Sequence, residues 1–247
     1  MLEGLKEALQ FITGLKEDSM EPKLVEIEGK TYCTKHLERY HNFDMASAVH
    51  VNTLTALVDY IKGKPEELRD SMILHVKSPT EVALVSGLVD ERSRETLMVA
   101  EAIVNEFLFD KYYSQERFLI ELQANFLETE DLKNIKMVAG NIQAGTTANY
   151  NDDGVSQKTT IKSGIANNTD VIVPNPVVLR PYRTFAEIEQ PLGEYVFRIS
   201  DGERGSQFKL VDADGGFWKN LTMKKIKEYL EFELSDILTE RNITIIA

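Results

Sequence analysis

Residues Asp152–Trp218 read DDGVSQKTTIKSGIANNTDVIVPNPVVLRPYRTFAEIEQPLGEYVFRISDGERGSQFKLVDADGGFW and end on the only tryptophan of the 247-residue chain. This stretch decides the fold. It is dense in Gly, Pro, Asn and Asp, the residues that turn a chain, and its apolar residues alternate at the period of a strand. Tyr195, Phe197 and Ile199 alternate up to Asp201-Gly202, and Phe208 and Leu210 alternate after it, which predicts a hairpin. Pro174, Pro176, Pro181 and Pro191 cannot donate ladder hydrogen bonds, so their surroundings are expected to be edge strand or extended connection.

Working outward, Met223, Ile226, Leu230, Leu234, Ile237 and Leu238 fall on one face of a long C-terminal helix that Asn220 or Thr222 would cap. Ile243–Ala247 is apolar and suits a short strand or an oligomer contact. Upstream, Ser114–Phe126 and Thr129–Asn141 carry the stripes of two consecutive helices. Ser71–Lys77 and Glu81–Leu88 read as a hairpin, with a helix capped at Ser78 as the competing assignment. Lys23–Thr34 reads as a second hairpin turning at Glu28-Gly29-Lys30. Leu2, Leu5, Leu9, Ile12 and Leu15 recur at helical spacing. The expected class is therefore α+β: mostly antiparallel sheet, a central helical pair and a long C-terminal helix. One domain over 1–247 is expected. A subdivision near 140–153 would separate a helix-rich and meander part (1–140) from sheet plus C-terminal helix (153–247).

The motifs Asp153-Gly154-Val155-x-Gln157, Val173-Pro174-Asn175-Pro176, Pro181-Tyr182-Arg183-Thr184-Phe185, Glu189-Gln190-Pro191 and Asp214-Gly215-Gly216-x-Trp218 follow one another in this order. In that order they resemble the YfdQ-like family of uncharacterised phage and prophage proteins, best over Ser114–Leu234. The resemblance implies a bacteriophage or prophage origin and expression inside a bacterial host. It brings no activity and no catalytic residue.

Composition narrows the function classes. The formal charge of −12 disfavours nonspecific binding to nucleic acid or anionic lipid. No apolar run reaches the length of a membrane span, and the acidic N-terminal stretch lacks the pattern of a secretory signal. Cys33 is the only cysteine, which fits a reducing compartment, so a cytoplasmic location is expected. The chain shows no Gly-x-Ser-x-Gly elbow, no phosphate-binding Gly-x4-Gly-Lys-Ser/Thr loop and no His-Glu-x2-His. These absences lean against an enzyme without deciding the question.

Two clusters are candidate sites. Cys33, His36, His41 and His50 gather the cysteine and three of the four histidines, and such side chains ligate zinc. Their spacing matches no standard zinc pattern, and a small buried thiol among ordinary histidines is the competing reading. Zinc is the one cofactor they could imply. Arg180, Tyr182, Arg183 and Phe185 offer guanidinium forks and aromatic faces, the groups that would bind a phosphate or a nucleobase. The competing reading has Tyr182 and Phe185 plugging the core, with the arginines paired to Glu187, Glu189 or Glu194. Asp212-Ala213-Asp214-Gly215-Gly216 resembles the start of a calcium loop but lacks its later ligands, and reads better as a tight turn.

The expectation that follows is a non-catalytic, homo-oligomeric phage protein. It would act in counter-defence or host takeover by sequestering a host protein or a small anionic ligand. The alternative is an accessory protein or nuclease-like enzyme of phage DNA metabolism and recombination.

Overall fold

The structure is a computed structural model describing residues 2–20, 22–35, 45–63, 71–89, 92–142, 151–152, 157–163, 167–173, 175–202 and 205–247. It divides into two compact units, Met1–Met45 and Ala46–Ala247. In the first, α1 (Leu2–Met20) precedes the hairpin of β1 (Leu24–Ile27) and β2 (Lys30–Cys33). The hairpin closes through Glu28 and Gly29 with φ of 52° and 72°. Positive φ at both positions is the type I′ geometry that matches strand twist, and glycine meets it without strain. The predicted stripe of α1 forms, and Leu5, Leu9, Ile12 and Leu15 are each more than half exposed.

The second unit runs β3 (Val49–Val51), α2 (Leu54–Gly63), β4 (Met72–Ser78), β5 (Glu81–Ser86), β6 (Thr96–Glu101), β7 (Tyr113–Ser114), α3 (Gln115–Asn125), β8 (Phe126–Leu127) and α4 (Glu130–Asn141). It continues with β9 (Asn151–Asp152), β10 (Gln157–Ser163), β11 (Asn167–Val173), β12 (Val177–Pro181), β13 (Gly193–Gly202), β14 (Gly205–Asp212), α5 (Phe217–Glu233) and β15 (Ile243–Ile246). The α+β class, the central helical pair and the long last helix are all present.

A mixed sheet of order β15-β4-β5-β6-β3 has an antiparallel centre and parallel outer strands. In β4, Met72, Leu74 and Val76 alternate inward and pair with Ser86, Leu84 and Val82 of β5. Period-two burial therefore wins over the helix that Ser78 could cap. The Ser78 hydroxyl instead accepts from the Thr80 N–H at 3.1 Å and helps to close the hairpin turn. Leu57 and Ile61 of α2 and Ile226 and Leu230 of α5 complete this core. Each such side chain, fully buried, contributes about 1.5–3 kcal/mol.

An antiparallel sheet of order β7-β14-β13-β12-β8 carries the second core. Phe118 of α3 stacks against Phe208 and Phe197, with ring centroids 5.4 and 5.8 Å away. Ile135 and Val138 of α4 join the same cluster. β10 and β11 pair antiparallel beside β9 in a further small sheet.

The segment after β12 joins the two cores. Phe185 and Ile188 belong to the first core although β12 belongs to the second sheet. The Thr184 hydroxyl donates to the carbonyl of Pro79 at 2.5 Å. Buried Gln190 ties the segment to itself: its Oε1 accepts from the N–H groups of Arg183 and Thr184 at 2.8 and 3.2 Å. Its Nε2 faces the carbonyls of Thr184, Phe185 and Ile188.

Strands from both sides of 140–153 share the second sheet, and the boundary between the compact units falls at 45/46. Most of the 140–153 stretch lies outside the described residues. The last helix is capped by Gly216 rather than by Asn220 or Thr222, and Thr222 lies inside it, donating to the Trp218 carbonyl at 2.8 Å. The chain turns into the helix at the two glycines, before the apolar stripe begins. Among the described residues, no helix is long and apolar enough to cross a membrane.

Replacing Gln190 with Leu keeps the volume but leaves two N–H groups and three carbonyls without this partner. A loss of at least about 1–3 kcal/mol is expected in urea unfolding. An unchanged midpoint would contradict the stapling role.

Candidate ligand-binding site

The site begins at a turn. The Asp214 N–H donates to Asp212 Oδ1 at 3.1 Å, and the Gly216 N–H donates to Asp214 Oδ1 at 2.8 Å. Gly215 and Gly216 follow with φ of 62° and 78°, a conformation in which side chains are strained. These two local Asx-type turns reverse the chain at the end of β14 and start α5, placing Trp218 in its first turn. Asp212 and Asp214 thus serve the tight turn.

Opposite this turn, β12 ends at Pro181 and the Tyr182 N–H donates to the Asn125 carbonyl at 2.9 Å. Arg183 then enters with its side chain only 11% exposed. Its Nη1 donates to the Tyr195 hydroxyl at 2.8 Å and its Nη2 to the Leu192 carbonyl at 3.2 Å. The guanidinium carbon lies 3.8 Å from the centroid of the Trp218 ring, a cation–π contact, and Asp214 stands 3.7 Å from Nη2. Gly193 makes this fit possible, because a Cβ there would lie 2.7 Å from both Arg183 Nη2 and the Tyr195 hydroxyl oxygen.

Burial sets the electrostatics. It lowers the pKa of Arg183, with Tyr195, Asp214 and Asp212 acting against that shift. It raises the Asp214 carboxyl above the ordinary range, with Asp212 adding to the rise and Arg183 opposing it. It also pushes the Tyr195 phenol up. The phenol is thus held neutral, able to accept from Arg183.

These residues wall a cavity of about 540 Å³. Phe107, Phe109, Tyr182 and Trp218 give it aromatic sides, while Glu106, Asn125, Arg183, Asp212 and Lys219 supply polar groups. This volume and mixture suit a small molecule. Trp218 also borders a second cavity of about 460 Å³ that includes Leu192, Phe217 and Leu221.

The candidates from sequence separate. Tyr182 and Arg183 line the cavity. Arg180 pairs with Glu189 at 3.1 Å, and the same carboxylate meets Lys225 at 3.2 Å. Phe185 is 1% exposed within the first core, so its ring is a plug there and is not offered to the cavity. Cys33 is exposed at the end of β2, His50 is exposed on β3 in the other unit, and His36 and His41 lie outside the described residues. Among the described residues, no three His, Cys, Asp or Glu side chains are grouped to hold a metal ion. Sequence reading missed Asn125 and Tyr195 as site residues. A polar residue ending one helix and an aromatic in an alternating strand carry no local signal. The Asp-x-Asp-Gly-Gly-x-Trp run was the available clue to a glycine-started helix. No family model, curated protein or solved structure matches the chain.

Gly193→Ala is expected to drive Arg183 off the Trp218 ring, read as a shift in tryptophan emission together with a lowered melting temperature. Unaltered emission would refute the close fit. The raised Asp214 pKa means that the folded state holds this proton more tightly than the unfolded chain. That contribution favours folding as pH falls through the raised value and opposes it above. Acidification should therefore remove the partner charge of Arg183 before exposed aspartates titrate. A change in Trp218 emission with its midpoint above the ordinary aspartate range is expected, and Asp214→Asn should abolish it.

Proposed function

We propose that this chain is a non-catalytic binding protein of bacteriophage or prophage origin. In this reading it works in the cytoplasm of the bacterial host and sequesters a small anionic ligand in counter-defence or host takeover. The observation that carries the binding role is the cavity at Trp218. It joins aromatic walls to a buried guanidinium, and it opens at the N-terminus of α5. Helix N-termini attract anions, and aromatic walls favour a flat molecule. The ordered motifs between Asp153 and Trp218 support the phage origin. The exposed apolar stripe of α1 supports homo-oligomers, since an isolated amphipathic helix is marginal in water and gains from a partner surface. Its four acids against two lysines disfavour an anionic bilayer as that surface.

Arg183 already has acceptors from Tyr195, Leu192 and Asp214. Its role in this reading is to hold the wall, while Lys219 and the start of α5 meet the ligand. Native mass spectrometry of protein purified from bacteria, before and after denaturation, tests the proposal. A released small molecule is expected, and rebinding should change the emission of the single tryptophan. A ligand-free oligomer whose emission responds to no metabolite extract of the host would overturn the sequestration of a small ligand. The same spectra read any zinc held through Cys33 or His50.

A further inference from the structure

The last helix buries one face and leaves apolar residues on the other. With about 3.6 residues per turn, Phe217, Leu221, Lys224, Glu228 and Phe232 fall within about 80° of the circumference of α5. Ile226 and Leu230 lie on the opposite side, in the first core. The stripe therefore points to solvent: Phe217 is 72% exposed, Leu221 45% and Phe232 78%. At its N-terminal end it merges with exposed Val178 and Leu192 and with Trp218 around the cavity of about 460 Å³. A contiguous apolar patch of this kind marks an interaction surface.

The charges within the stripe say what covers it. Lys224 and Glu228 are exposed and form no ion pair among the described residues, whereas their neighbours Lys225 and Lys227 meet Glu189 and Glu231. Two copies of α5 lying antiparallel, about a two-fold axis level with Ile226, would place each Lys224 opposite Glu228 of the other copy. That register also satisfies the apolar residues. It sets each Phe232 level with Asn220 of the other copy, about 1.5 Å along the axis from Leu221 and about 4.5 Å from Phe217. The ring of Phe232 then meets the cavity that Phe217, Trp218 and Leu221 border. The acids flanking Phe232 already have cations, since Glu231 meets Lys227 at 3.7 Å and Glu233 meets Lys62 at 3.3 Å.

We propose that the outer face of α5 docks on a second copy of this chain as an antiparallel two-fold pair. Phe232 of each copy fills the cavity beside Trp218 of the other, and the reciprocal Lys224 and Glu228 contacts fix the register. The buried rings supply most of the affinity, and the exposed ion pairs supply specificity. The inference rests on the homo-oligomeric reading proposed above and names its surface, which is separate from α1.

Sedimentation equilibrium of the full chain across a dilution series tests it, with Trp218 emission followed over the same series. A dimer at micromolar concentration is expected, with emission that changes as dilution separates the copies. Phe232→Ser should weaken association at least about a hundredfold, because the pair loses two buried rings. Its melting temperature under monomeric conditions should stay unchanged, because the ring is exposed in the single chain. Lys224→Glu and Glu228→Lys each set like charges opposite one another and should each weaken self-association about tenfold at low salt. Mixing these two variants should restore the dimer as a heterodimer, an outcome that contacts within one chain cannot produce. A mixture that associates no better than either variant alone overturns the antiparallel register. A dimer indifferent to Phe232→Ser and to both charge reversals overturns the α5 surface and leaves homo-oligomers formed elsewhere standing. A chain that stays monomeric at millimolar concentration overturns both the surface and the homo-oligomeric reading.

Discussion

A buried cation must find its acceptors inside the protein, and Arg183 is the point at which that requirement organises the molecule. Its guanidinium draws on a hydroxyl from β13, a carbonyl from the loop before β13, a carboxylate from the turn after β14 and an aromatic face from α5. Each belongs to a different stretch of chain, so their convergence fixes how the second sheet meets the last helix. α5 in turn supplies Ile226, Leu230 and Leu234 to the core of the first sheet. Removing one partner from such a buried arrangement typically costs about 3–5 kcal/mol, because the remaining charge stays in a medium that solvates it poorly.

The same partners decide what Arg183 does for binding. A guanidinium already shared among a phenol, a carbonyl and a carboxylate is poorly placed to serve as the main receptor for an incoming anion. It gives the Trp218 ring one fixed neighbour and so holds a cavity wall in place. Its Nε lacks a hydrogen-bond partner among the described residues but is buried, and the exposed ammonium of Lys219 is a cation in the lining that a ligand could reach. Rigid wall and open contacts are thus divided between different residues.

What could be read in the sequence was what depends on neighbours along the chain. The α1 stripe, the Glu28-Gly29 hairpin turn, the β4–β5 and β13–β14 hairpins and the helical pair all follow from local periodicity and turn chemistry. The start of α5 was misplaced because its stripe begins later than the glycines that launch it. The individual duties of the short motifs were hidden for a different reason, since their partners lie far along the chain or depend on a folded loop. Asn175 Oδ1 accepts from the Phe197 N–H at 2.9 Å, so its side chain extends the edge of β13. Gln190 fastens the loop that holds Arg183. Tyr182 and Arg183 line the cavity, while Phe185, two positions further on from Arg183, lies in the other core. Nothing in the spacing of these residues separates the two destinations.

The two hydrophobic clusters are nested along the chain. The second is assembled from residues between Phe107 and Leu210, whereas the first needs Leu54–Ala100 together with residues as late as Ile245. β4 therefore acquires its parallel neighbour β15 only after the whole of the second sheet has been made. During synthesis, the inner cluster can close on the ribosome while α2 and the β4–β6 strands wait with an uncovered apolar face. That waiting interval exposes the nascent chain to wrong pairing and gives a chaperone something to hold.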